Sequence, residues 1–383
     1  MTIGGSGMYG MAVALAPVQA EFAVTRGDAS LPYTLTMLGF GIGGILMGRL
    51  ADRFGVVTPV VIGAFGLGGG FIVAGNAPNL LVFSLAHGLM IGLLGCATTF
   101  APLVADTSLW FNRRRGIAVA ICASGNYLAG AVWPPILQYW FDTVGWRATY
   151  VGVGMFCTAA MLLLALALRR RPPALEASTT SSLIRTERPL GLSPNALMIL
   201  LVIAGVACCV AMSMPQVHIV AYCGDLGYGA ARGAEMLSLM LAFGIVSRLA
   251  SGWICDRIGG LRTLLLGSFL QGVALLLFLP FDGLVSLYIV SAMFGLFQGG
   301  IVPSYAIIVR EYFPVREAGV RTGIVLMATL FGMALGGWMS GAIFDVTGSY
   351  QAAFINGITW NLLNLSVASW LLYRAKRNAV FAY

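Results

Sequence analysis

Arg248 stands in the middle of a hydrophobic run, in the stretch GIVSRLASG that covers residues 244 to 252. A cation at the centre of a membrane helix costs on the order of 3 kcal/mol or more, and an arginine cannot escape that cost by losing its proton. A counter-charge is therefore needed. All 14 Asp and Glu fall in loops or near the ends of apolar stretches, so none is a mid-membrane partner. An unpaired guanidinium in a polar cavity is a receptor for an anion, and its fork matches a carboxylate through two parallel hydrogen bonds. The expected ligand is a small organic anion that carries a carboxylate. The competing reading is that the long stem snorkels to the rim and joins the charges around Asp256.

Other side chains could assist. His218 can donate, accept or carry a proton, or it can be an interfacial histidine bonded to a backbone carbonyl beside Pro215. Asn126, Tyr127, Gln298 and Tyr305 could supply the neutral hydrogen bonds that orient an anion in a mostly apolar cavity, and each could equally be a bond between helices. His87 reads as a packing residue. Two isolated histidines and no mid-membrane carboxylate leave no nucleophile and base pair, so no enzyme activity, metal or cofactor is expected. The seven cysteines lie in or at the ends of spans without CxxC spacing and read as small packing residues.

The elements that must hold these residues are membrane helices. The 383 residues are 59% hydrophobic and only 9% charged, in apolar runs too long for a soluble core. Windows of about 20 residues place crossings near 2–20, 29–50, 57–76, 80–108, 116–140 and 148–168, then near 195–223, 234–255, 262–280, 284–309, 319–343 and 350–373. The fold class is thus all-α, with twelve transmembrane helices. The first span starts almost at Met1, so a shortened first helix is expected, and no cleavable leader precedes it. Pro102, Pro134, Pro215 and Pro303 should interrupt or bend their helices.

Of the 22 Lys and Arg, only Arg26, Arg147 and Arg232 fall in loops on the side opposite the rest. By the positive-inside rule the crowded side is cytoplasmic, which places both termini there in a cell inner (plasma) membrane. The net charge of +8 therefore reports topology, and no nucleic-acid partner is expected.

The chain repeats itself. GRLADRFG at 48–55 returns as GWICDRIG at 252–259, an offset of 204. FDTVG from Phe141 returns as FDVTG from Phe344, and Pro102 has a counterpart in Pro303. A near-constant offset means two six-helix halves: residues 1–168, then a Pro-, Ser- and Thr-rich linker at 169–193, residues 194–373, and a basic tail at 374–383. Within the motif, Gly48 and Gly252 permit close helix approach, and Gly55 and Gly259 permit sharp loops. Asp52 can cap a helix start, and Asp106 can pair with Arg53 or its neighbour. Asp256, Arg257 and Glu311 can form the matching cluster. Ordinary rim charges that set topology are the alternative.

GRLADRFG after the second span, its weaker copy after the eighth, twelve spans and a central linker resemble the major facilitator superfamily over essentially the whole length. The resemblance implies alternating access, with Asp52, Arg53, Asp106, Asp256, Arg257 and Glu311 latching the cytoplasmic ends of the halves when the outward side is open. Trp253 stands where the first copy has Arg49, which implies a weaker second latch. MPQVHIVAY from Met214, RLASGWICDRIG from Arg248, and WFNRRRGIAVAICASGNYLAG from Trp110 are similar to the bacterial monocarboxylate transporters, which are related to oxalate:formate antiporters. That branch implies Arg248 as carboxylate anchor with His218 contributing. Its dicarboxylate exchangers carry a lysine on span eleven, and this chain has none there, so a monocarboxylate of lactate or pyruvate type is expected. Animal members carry an acid at the position of Gly244. If protons are coupled here, His218 or the substrate's own carboxylate must carry them. The lipid bilayer is the expected surrounding and a monomer the expected unit. Rival readings are an exporter of larger amphipathic compounds, which would want an intramembrane acid, and a non-transporting receptor of the same fold.

Overall fold

The computed structural model describes residues 1–110, 115–169 and 189–380. Most of the linker expected at 169–193, residues 170–188, lies outside the described residues, as do Arg113 and Arg114. Twelve helices run in sequence order: α1 (Ser6–Phe22), α2 (Arg26–Phe54), α3 (Val57–Gly75), α4 (Leu80–Thr107), α5 (Arg115–Val144), α6 (Trp146–Ala167), α7 (Pro194–Asp225), α8 (Ala230–Ile258), α9 (Gly260–Leu277), α10 (Leu284–Tyr312), α11 (Val315–Thr347) and α12 (Tyr350–Val380). Among the described residues there is no strand. Ten of the twelve are long and apolar enough to cross a membrane. The 17-residue α1 and the Asn-interrupted α12 complete two sets of six.

The helices form because in a bilayer every backbone amide must find its partner within its own segment. The termini are set locally. Thr25 and Ser193 side chains accept amides at the starts of α2 and α7. Gly55 and Gly259 end α2 and α8 with φ of 82° and 83°, a conformation that side chains resist. The two copies of the repeated motif therefore make the same turn.

The prolines act in two ways. Pro134 and Pro215 lie inside continuous helices. Pro102 and Pro303 each follow a break, at Thr99–Phe100 in α4 and at Gly299–Gly300 in α10, and sit near the first turn of the restarted helix, where a missing amide hydrogen costs little. Before its break α4 is wound as a wide π-helical stretch, Ala86–Cys96.

Each half packs through glycine. A Cβ added at Gly39 of α2 would collide with the Gly88 carbonyl of α4, and one at Gly295 of α10 with the Met240 carbonyl of α8. The first half is filled by fully buried Phe71, Phe83 and Tyr150, the second by Phe278, Phe294 and Phe354.

The halves meet chiefly along two seams, α2 against α11 and α5 against α8, with a smaller contact of α1 against α7. On the first, Thr34 donates to the Ala334 carbonyl and Gly337 packs on the Tyr33 ring. On the second, Ser238 donates to the Ala131 carbonyl, and Leu241 lies against Gly130. Both seams start at the end opposite the loop cations and stop partway. Gly41 still faces Met327 and Leu330, whereas a Cβ added at Gly44, Gly48, Gly252, Gly319 or Gly323 would meet nothing within 4 Å. The halves are joined at one end and part toward the basic end.

Candidate functional site

Arg248 lies at the point where the α5–α8 seam gives way to the cleft. It is 18 residues into the 29-residue α8, about 6 Å past the helix midpoint at 1.5 Å per residue. Its Nη1 donates to the Ala123 carbonyl of α5 at 3.1 Å, and its guanidinium carbon sits 4.3 Å from the centre of the Tyr127 ring. The Nε is buried without a hydrogen-bond partner, and Arg248 forms no ion pair with any described residue. The guanidinium is thus held on one face by a π cloud and a carbonyl, both weak neutralisers, with no carboxylate opposite it.

The local sequence explains this placement. Gly244, one turn before Arg248, lets Tyr127 lie flat on α8; a Cβ there would be 2.7 Å from the ring. Ser247 and Ser251, on a neighbouring face, pack against Gly299 and Gly300 at the break in α10. That leaves Arg248 turned toward α5. Tyr9 of α1, which sequence reasoning missed, borders the same seam beside Gly130. By the repeat offset Arg248 corresponds to Gly44 (248 − 204), so the charge is present in one half only.

The remaining expected substrate residues are dispersed. Tyr127 is beneath Arg248 and buried. Asn126 is half-buried and turned the other way, with its Oδ1 beside Gly5 at the start of α1. Gln298 is fully buried, accepts from Gln216 of α7 at 3.0 Å and has an unpartnered Nε2. Tyr305 is fully buried inside the second half, donating to Asn364, which in turn donates to Ser268. His87 bridges Thr36 at 3.2 Å and Tyr150 at 3.4 Å within the first half.

His218 is at the closed end. It is seven residues from the end of α7 while Arg248 is 18 from the start of α8, an axial offset of about 16 Å. Its Nε2 is 2.8 Å from the Gly337 carbonyl of α11, and its Nδ1 is 3.1 Å from the Tyr350 hydroxyl. The carbonyl can only accept, so Nε2 carries the hydrogen and Nδ1 accepts from Tyr350.

That tyrosine is part of a network absent from the expectations. Arg26, the first residue of α2, donates to Asp225 at 2.6 Å, to Gln19 at 2.8 Å and to Tyr350 at 2.9 Å, and its guanidinium carbon is 4.5 Å from the Phe344 ring centre. Asp345 accepts the backbone amides of Arg26 and Gly27 at 2.8 and 2.6 Å, capping α2 from the other half. One signal was available: Arg26 is among the few cations on its side, and Asp225 and Asp345 end spans on that same side.

At the basic end no two of Asp52, Arg53, Asp106, Asp256, Arg257 and Glu311 form an ion pair. Arg53 lies over Phe54, Arg257 lies 3.4 Å from the centre of the Trp253 ring, and Asp106 accepts from Trp110 at 3.1 Å. The capping expected of Asp52 is not formed, since α3 begins without a side-chain cap. In the second half Glu311 caps the start of α9, accepting from the Gly260 amide at 2.9 Å.

Two six-helix bundles, joined at one end and parted at the other around a lone mid-membrane cation, define a multi-pass membrane transporter. The chain belongs to the Major Facilitator Superfamily, whose sequence profile matches residues 1–287 and 237–382. It is 28% identical to monocarboxylate transporter 13 of Rattus norvegicus over 352 residues, 89% of this chain and 78% of that one. It is 31% identical to monocarboxylate transporter 11 of Homo sapiens over 327 residues, 80% and 66% of the two chains. An uncharacterized MFS-type transporter, YcxA of Bacillus subtilis, is 25% identical over 342 residues, 87% of this chain and 83% of that one. The fold matches the nucleoside transporter NupG with a TM-score of 0.70 at 14% identity, covering 97% of each chain. It also matches a bacterial homologue of the lysosomal transporter Spinster in an inward-facing, occupied conformation, with a TM-score of 0.70 at 14% identity, covering 98% of this chain and 94% of that one. Fold and relatives are those of transporters, not enzymes.

Proposed function

We propose that this protein carries small monocarboxylate anions of lactate or pyruvate type across the plasma membrane by alternating access, with Arg248 holding the substrate carboxylate. The observation that carries the reading is the partner set of Arg248: a ring face, one backbone carbonyl and no acid, with a buried Nε left over. A carboxylate supplies the missing charge and two acceptors in one planar group. The names of the relatives support the same class.

The basic end faces the cytoplasm, as the cation bias favours, and the parted halves then correspond to an inward-open carrier. On outward opening the GRLADRFG motif and its copy close the cytoplasmic end, with Asp52, Arg53, Asp106, Asp256, Arg257 and Glu311 drawn together. Transport is proton-coupled symport or anion exchange by a monomer. His218 then acts at the outer gate and not at the substrate carboxylate.

Counterflow of labelled lactate, pyruvate, formate and oxalate in proteoliposomes, with and without a pH gradient, tests this. Saturable monocarboxylate exchange that disappears in Arg248→Ala is expected. Uptake that survives Arg248→Ala unchanged would remove the anchor.

A further inference from the structure

Two cavities lie away from the central cleft, on the outer flanks of the bundles. One, of about 470 Å³, opens between α3 and α6 and is lined by Val57, Val61, Leu162, Leu166 and Arg169. The other, of about 570 Å³, opens between α9 and α12 and is lined by Leu265, Phe269, Leu365, Ser369 and Arg262. The repeat relates them: Val61 maps to Leu265 at offset 204, and Leu162 and Leu166 map to Leu365 and Ser369 at 203. The same groove is therefore built twice.

Each groove is apolar along its length and ends in one exposed arginine at the basic end, Arg169 just past α6 and Arg262 in the first turn of α9. Neither arginine pairs with an acid among the described residues. From Ala159 to Arg169 the wall of the first groove runs ten residues, about 15 Å, which is half of a hydrocarbon core of about 30 Å. A groove of that length accepts one acyl chain in one leaflet. A flat helix flank would take any chain without preference, whereas a guanidinium at the headgroup level selects for a phosphate with no compensating ammonium in the same headgroup.

We propose that the two grooves are binding sites for phospholipids of net negative charge, one in each half, in the leaflet on the basic side. Arg169 and Arg262 hold the phosphates, and the grooves hold one acyl chain each.

Native mass spectrometry of the purified full chain, titrated with phosphatidylglycerol or phosphatidylcholine of matched chains, tests this. The protein should retain two phosphatidylglycerol molecules with roughly tenfold preference over phosphatidylcholine. Arg169→Gln/Arg262→Gln should abolish the preference while still taking up both lipids. Ala159→Trp/Ser369→Trp, which fills the grooves from exposed positions, should reduce retention of both. Equal retention of the two lipids by the unmodified chain, a preference unchanged in the double arginine variant, or retention unchanged in the filled variant would each overturn the proposal.

Discussion

Arg26 of the first half and Asp225 of the second meet at 2.6 Å, with the arginine side chain 10% exposed and the aspartate 38%. This pair, together with the Asp345 cap, fastens the end opposite the loop cations. A hydrogen bond to a charged group contributes about 2 kcal/mol, so Asp225→Asn should shift the balance of conformations by roughly thirtyfold. Hydrogen–deuterium exchange checks it: peptides from 26–34 and 337–345 should exchange faster, and those from α3 and α9 should not.

Arg248 rests on the face of Tyr127. A phenylalanine keeps that face and a leucine does not, so Tyr127→Phe should transport nearly as the parent does. Tyr127→Leu should lose about 1 kcal/mol, roughly fivefold in KM. Arg248→Lys keeps the charge without the fork and should lose roughly tenfold or more in monocarboxylate affinity. Concentration dependence of counterflow separates these cases.

His218 is satisfied on both ring nitrogens. His218→Phe would remove one hydrogen bond to the Gly337 carbonyl, which keeps its helical partner, and one from the Tyr350 hydroxyl, which keeps Arg26, each contributing about 0.5–1.5 kcal/mol. The expected outcome is a lower melting temperature and a loosened outer end, with substrate affinity in the remaining folded protein little changed. A selective rise in KM at unchanged stability would instead return His218 to the substrate site.

Gly48 has no neighbour in this conformation, whereas Gly295 meets backbone. Gly48→Leu should leave thermal stability within about 0.5 kcal/mol yet cut transport roughly tenfold if, as proposed, the basic end closes on it in the transport cycle. Gly295→Ala should destabilise by about 1–3 kcal/mol. Parallel melting and uptake assays read both.

Helix number, the two-fold repeat and the isolation of Arg248 are legible in the sequence, because each rests on local hydropathy, on a fixed offset or on the distribution of acids. Arg26 shows why the rest is not. Its partners Asp225, Tyr350 and Asp345 are about 200 to 320 residues away, and short polar motifs at span ends do not reveal which end faces which. The paired FDTVG and FDVTG segments make the same point. Asp345 caps α2 across the seam, whereas its counterpart Asp142 takes a hydrogen bond from Gln138 in its own helix. Tyr305 and Gln298 look like cleft residues by composition, but the face each helix turns inward is fixed by packing that no single span encodes.

Where Gly39 leans on the Gly88 carbonyl and Gly295 on that of Met240, main chain touches main chain. Such a joint has no rotamers to flip and so no slack to absorb a push. Force applied at one end of a bundle is passed along it with little loss, which makes each six-helix half behave as a stiff lever and places most of the yielding at the unfinished seams between them.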